Sequence, residues 1–289
     1  DSHNTDELIR CSKAGADYLL SIKAETYHIL ENLDSYPILI PTENNIPEFY
    51  KLVDRAIDDK LIFIADPILD PISYGFTESL MRYVNLREKY PDIHIMIGLG
   101  NITELTHADT SGINMIMLGI IEELKLNHIL TTQVSRHCST VIRETDLARR
   151  IIHAASQNNL TPKHINDGLL VNHGHKDYAL CSDELIEMQS NIKDKNYRIY
   201  VNDDGIHLFN KNVYKVFTDP FDFYEHLDVS NDSGHAFYLG VELARAQIAY
   251  QLKKEYQQDE ELGWGCLVDK KVDNKLQSKE LGPTFKKRK

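Results

Sequence analysis

The sequence predicts an α/β protein built on a parallel sheet, either open and doubly wound or a (β/α)8 barrel, followed by a small α+β module. Three observations predict it. Over residues 1–157, short apolar runs alternate with amphipathic helical stretches. The runs are brief, β-branched or aromatic, and closed by Pro, Gly, Asp, Asn or Ser, as buried strands are. Five units over this stretch give about 31 residues each, the repeat of an eight-unit barrel of ~250 residues. Five units do not close a barrel, so the sheet is open or its first units lie outside this chain.

In order, the expected strands are Ala16–Ile22, Tyr36–Ile40, Leu61–Ala65, Ile93–Ile97 and His128–Val134. The first helix follows Asn4 as N-cap, with Glu7 at the capping-box position, and closes at Gly15. A second uses Phe76, Leu80, Tyr83, Val84 and Arg87; a third runs from Ile113 to Leu124. The fourth extends from Val141 to Ala155, acidic early and with Arg149–Arg150 late, as the helix dipole favours. Residues 158–230 form the separate module. Gly168–Val171 is a candidate strand, Ser182 caps a helix, and Tyr197–Asn202 and Ile206–Asn210 flank the Asp203–Gly205 turn signal. Residues 231–289 give a long helix over 235–258 and a basic tail in which eight Lys or Arg face two acids.

The 289 residues are 42% hydrophobic and 26% charged, which excludes disordered and fibrous classes. A net charge of −12 offers no electrostatic support for nucleic-acid binding. The tail reads as solvated chain. Cys11, Cys138, Cys181 and Cys266 lack metal-ligand spacing and point to reduced thiols in a cytoplasmic protein. No apolar run approaches the ~20 residues that span a bilayer.

Ligands of parallel α/β folds sit at the carboxyl ends of the strands. There, Asp66 and Asp70 are each followed by Pro, which stiffens the turn. A carboxylate so held can bind an amidine-like edge through paired N–H donors; the alternative for Asp66 is a cap on the turn that follows. Gly98 and Gly100 would let the backbone approach a planar ligand, with Asn101 hydrogen-bonding it. Thr131–His137, including Thr132, Ser135 and Arg136, offers hydroxyls and a cation at a helix N-terminus. That is either an anion site or a cap cluster with a surface Arg. His173-Gly-His175 lacks further ligands for a metal, and Asp228–Asp232 lacks the Gly and Glu of a calcium loop.

Several phrases resemble the pterin-binding barrel of dihydropteroate synthase. They are Ala14–Asp17, Ile64–Pro67 with Gly75-Phe76 beyond, and Ile97–Asn101. More closely, Asp66–Glu78 (DPILDPISYGFTE), Gly100–Gly112 (GNITELTHADTSG), Leu130–Ser135 (LTTQVS) and His235–Ala246 (HAFYLGVELARA) are similar to a divergent branch of that family in methanogenic archaea and C1-metabolising bacteria. The resemblance implies a (β/α)8 TIM-type barrel lacking its first strands in this chain, with residues 1–157 as its last five units. Asp1 would end barrel strand 3. Asp1 and Asp66 would then hold the pterin edge.

The same resemblance implies a transferase joining a pterin methyl diphosphate to an arylamine in folate or tetrahydromethanopterin-type C1-carrier biosynthesis. Mg²⁺ can accompany the diphosphate. The missing strands would come from an N-terminal segment of the same polypeptide or from a homo-oligomer partner. Departures from the family are specific. The synthase Ser-Arg-Lys loop is here Gly100-Asn101-Ile102, its Arg-x-His is replaced by Thr131–Ser135, and its strand-4 Asn falls near Leu20 or Ser21. Two alternatives follow: a non-catalytic pterin or C1-carrier binding protein, or a pterin-dependent methyltransferase barrel.

Overall fold

The computed structural model describes Ser2 and residues 4–269 and divides into two compact units, one on each side of Leu169/Leu170. Asp1 and the basic tail lie outside the described residues.

In the first unit, α1 (Thr5–Lys13) is capped by Asn4, whose side chain accepts N–H bonds from Asp6 and Glu7. Glu7 does not complete the capping box. Its carboxylate accepts from the Ser2 hydroxyl, which in turn accepts the Asn4 N–H. Gly15, at φ +95°, turns the chain into the sheet.

The strands are β1 (Tyr18–Ile22), β2 (Tyr36–Leu39), β3 (Ile64–Ala65), β4 (His94–Gly98) and β5 (His128–Leu130). All pair in parallel, in the order β1-β2-β3-β4-β5. A strictly sequential order has no point where the winding reverses, so this is the strand order of a barrel and not of a doubly wound sheet. The sheet is also curled. In a flat sheet β1 and β5 would stand roughly 19 Å apart, yet the rings of Tyr18 and His128, on those two strands, are 6.4 Å apart.

The convex face is closed by α2 (Ile46–Asp58), α3 (Phe76–Lys89), α5 (Thr110–Glu123) and α6 (Val141–Gln157), with the short α4 (Gly100–Thr103) after β4. Their inward residues share one core with Leu19, Leu39, Ala65, Ile95 and Ile97. The concave face holds a smaller cluster of Leu20, Ile38, Ile40, Ile64 and Met96. At its amino end Tyr18 and Tyr36 remain 49% exposed.

Three expectations change. Residues 41–60, unassigned on the sequence, contain α2, capped by Asn45 with Pro47 in its first turn and burying Phe49, Leu52, Val53 and Ala56. The third strand starts at Ile64 because Leu61 still donates to the Ala56 carbonyl at the end of α2. The fifth stops at Leu130 because the residues after it turn to bind a carboxylate. The early acid of α6, Glu144, stands in its first turn as expected and is buried, accepting from Thr110, Asn114 and Thr140.

The second unit contains α7 (Ser182–Ser190), an antiparallel sheet of β6 (Arg198–Asn202), β7 (Gly205–Phe209) and β8 (Tyr214–Phe217), and α8 (Ser233–Leu252). The β6–β7 hairpin turns at Asp203-Asp204, with Gly205 at φ +145°. Leu239, Leu243 and Ala246 of α8 pack with Ile199, Val201, Ile206 and Leu208, so the long helix shares the core of the small sheet. Gly168–Val171 is not a strand: the Gly168 N–H is taken by the Asn166 side chain. Cys181, not Ser182, is the N-cap of α7; its N–H donates to Glu184, and the Ser182 hydroxyl bonds Asp204. Among the described residues no helix is long and apolar enough to cross a membrane.

Candidate functional site

Asp66 ends β3. Its N–H donates to the Leu39 carbonyl on β2, which fixes its backbone in the sheet. The side chain is 8% exposed. Both of its hydrogen bonds reach one oxygen: Oδ1 accepts the Ile68 N–H at 2.9 Å and the Tyr83 hydroxyl at 2.8 Å. Among the described residues no hydrogen bond reaches Oδ2. Burial pushes the carboxyl up to about 6, against the opposing pull of Tyr83, the Ile68 N–H and Arg82.

The turn after Asp66 is strained. Ile68, a β-branched residue, sits at φ +62°, a backbone region such residues rarely adopt. Arg82 of α3 holds it there, donating to the carbonyls of Pro67 (3.1 Å) and Ile68 (2.7 Å) and to Asp70 Oδ2 (2.8 Å). Asp70 is therefore engaged in an ion pair with Arg82. Gly75, at φ +105°, is required where it stands, since a Cβ would lie 3.1 Å from Asp70 Oδ2.

Asn101, exposed on α4, donates its amide N–H to the Leu69 carbonyl at 2.7 Å, which ties the loops after β3 and β4 together. A side chain at Gly98 would meet open space. At Gly100 it would meet Thr132 Oγ1 at 3.1 Å, so the missing Cβ makes room for Thr132.

The expected anion subsite already holds an anion. Glu104 accepts from Thr132 Oγ1 (3.0 Å) and the Val134 N–H (2.8 Å) on one oxygen, and from the Ser135 N–H (2.8 Å) on the other. These donors, led by the Val134 N–H, hold its carboxyl down at about 2. Thr132 and Ser135 are thus occupied. Arg136 is exposed in a three-residue 3₁₀ turn, Arg136–Cys138, and not at the N-terminus of α6. Beside it, burial raises the Cys138 thiol to about 11, so it is no thiolate nucleophile.

Tyr83, Arg82 and Glu104 are the residues that sequence reasoning did not assign to the site. Tyr83 falls on the apolar stripe of α3 and reads as core. Among the described residues no three His, Cys, Asp or Glu side chains converge to hold a metal ion.

These features define an α/β protein with barrel-ordered strands and a buried carboxylate at a strand's carboxyl end. No family model matches the chain. It is 30% identical, over 91% of its length, to an uncharacterized protein of Methanocaldococcus jannaschii. The aligned region spans 57% of that relative, a little over half its length.

Proposed function

We propose that the chain is the pterin-holding part of a dihydropteroate synthase-like transferase serving folate or tetrahydromethanopterin-type C1-carrier biosynthesis. The observation that carries this reading is Asp66, a buried strand-end carboxylate with both of its hydrogen bonds on Oδ1. A pterin ring presents N–H donors on its pyrimidine edge, and a desolvated carboxylate rewards such donors more than water-exposed ones do. In the reaction, the arylamine nitrogen bonds to the exocyclic methylene carbon. The C–O bond to diphosphate breaks with its electron pair, and the amine proton passes to solvent. Arg136, exposed after β5, is a cation for the diphosphate.

A non-catalytic pterin-binding protein is the second reading, favoured by Glu104, which fills the donors that would otherwise receive an anion. Turnover of the pterin diphosphate with an arylamine separates the two.

The test is calorimetric titration with 6-hydroxymethyl-7,8-dihydropterin and its diphosphate. Asp66→Asn should weaken binding by about 1.5–3 kcal/mol, the worth of a hydrogen bond to a charged group. Absence of binding to the wild type at millimolar ligand overturns the reading.

We also propose that the curled sheet is completed by strands from another segment of the same polypeptide or from a second copy. The exposed Tyr18, Tyr36 and Leu130 on the strands support this, as do the outer edges of β1 and β5, which pair with no further strand among the described residues. A chain of these 289 residues that sediments as a monomer and melts cooperatively on its own would refute it.

A further inference from the structure

We propose that Tyr83 and Arg82, adjacent on α3, are positioning residues that fix the orientation of the Asp66 carboxylate. Tyr83 occupies Oδ1, and Arg82 holds the turn that delivers the second donor, so that Oδ2 alone faces a ligand. The assignment rests on the reading of Asp66 as the ligand-binding carboxylate.

Successive residues of a helix point about 100° apart, and the two side chains use that angle. Tyr83 goes inward and is fully buried in the convex core, where its hydroxyl needs a partner and finds Asp66 Oδ1. Arg82 goes to the loop and binds two of its carbonyls and Asp70. That clamp holds the turn in which Ile68 sits at positive φ and its N–H reaches Oδ1. An oxygen with two lone pairs and two donors is satisfied. A free carboxylate would rotate; this one has its rotation fixed from two sides. The turn by itself would cap Asp66, but the Tyr83 hydroxyl comes from a different element and, among the described residues, makes its hydrogen bond to that oxygen alone.

The charged and titratable groups facing Asp66 are Tyr83 and Arg82, with Asp70 acting on Tyr83. The Tyr83 hydrogen bond favours the ionised carboxylate. Its removal should therefore raise the pH at which Asp66 protonates.

The experiment follows the ¹³C resonance of the Asp66 carboxyl with pH, assigned by its absence in Asp66→Asn, alongside pterin affinity at each pH. In Tyr83→Phe the carboxyl titration should move up by about one pH unit, a tenfold change in proton affinity. Pterin affinity should fall several-fold even at pH 8, where the carboxyl is ionised. Replacing Tyr83 by 3-fluorotyrosine keeps the packing and strengthens the donor, so the titration should move down. A purely structural Tyr83 would shift the melting temperature and leave the titration where it was; an unchanged titration in both variants overturns the assignment. If the titration moves but the wild type binds no pterin, the pterin reading fails and the positioning of Asp66 stands.

Discussion

Asp66 follows β3 and Glu104 follows the helical turn after β4, so both carboxylates stand at the carboxyl ends of neighbouring strands, and the fold treats them oppositely. Asp66 is buried and receives two donors on one oxygen; its carboxyl rises to about 6. Glu104 receives donors on both oxygens near the surface; its carboxyl drops to about 2. Desolvation outweighs hydrogen bonding in the first and the reverse holds in the second. A carboxylate with donors on one oxygen only keeps acceptor capacity on the other. One whose demand is met within the chain joins two loops.

The largest effect that would break this comparison is on stability against pH. The folded protein binds a proton at Asp66 more tightly than the unfolded chain, from the ordinary 3.8 to about 6. The Asp66 contribution to stability is therefore fullest below pH ~4 and is lost as pH rises through ~6, by about 3 kcal/mol in all. Asp66→Asn removes that penalty. It should melt higher than the wild type at pH 8 by several degrees, and the two should converge near pH 4. Equal melting temperatures at pH 8 would mean that Asp66 is not the desolvated group described here.

A smaller effect belongs to Glu104, and its sign is opposite. Its depressed value stabilises the fold above the unfolded value of 4.5, and that contribution is lost as pH falls toward 2. Glu104→Gln should lower the melting temperature at pH 7, with the gap narrowing in acid, and should leave the Asp66 titration untouched. Loss of pterin binding in Glu104→Gln without loss of stability would place Glu104 in the ligand site and dissolve the contrast.

The two carboxylates also differ in how legible they were. Asp66 could be singled out because its setting is local: a strand end, a Pro on each side of a short loop, and Gly75 closing it. Glu104 could not, because its donors lie 28 to 31 residues further along the chain. That distance also explains the fifth strand, which reads as continuing to Val134 but ends at Leu130 where Thr132, Val134 and Ser135 swing to Glu104. The helix α2 is a different kind of omission. Its Asn45-x-Pro47 start and its buried Phe49, Leu52, Val53 and Ala56 follow ordinary helical spacing, so the signal was present in the sequence and unread.

By itself the sequence determined the parallel α/β class, the sites of most helices and the presence of a stiff acidic turn after β3. These depend on side-chain periodicity, caps and Pro or Gly placement within a few residues. Only the tertiary structure decided that the sheet curls until Tyr18 and His128 meet, and that Tyr83 leaves the role of a core residue to hold Asp66. It also decided that the expected anion site is filled from within. Each of these follows from desolvation and from donors brought in by distant segments, and such properties exist only once the chain has packed.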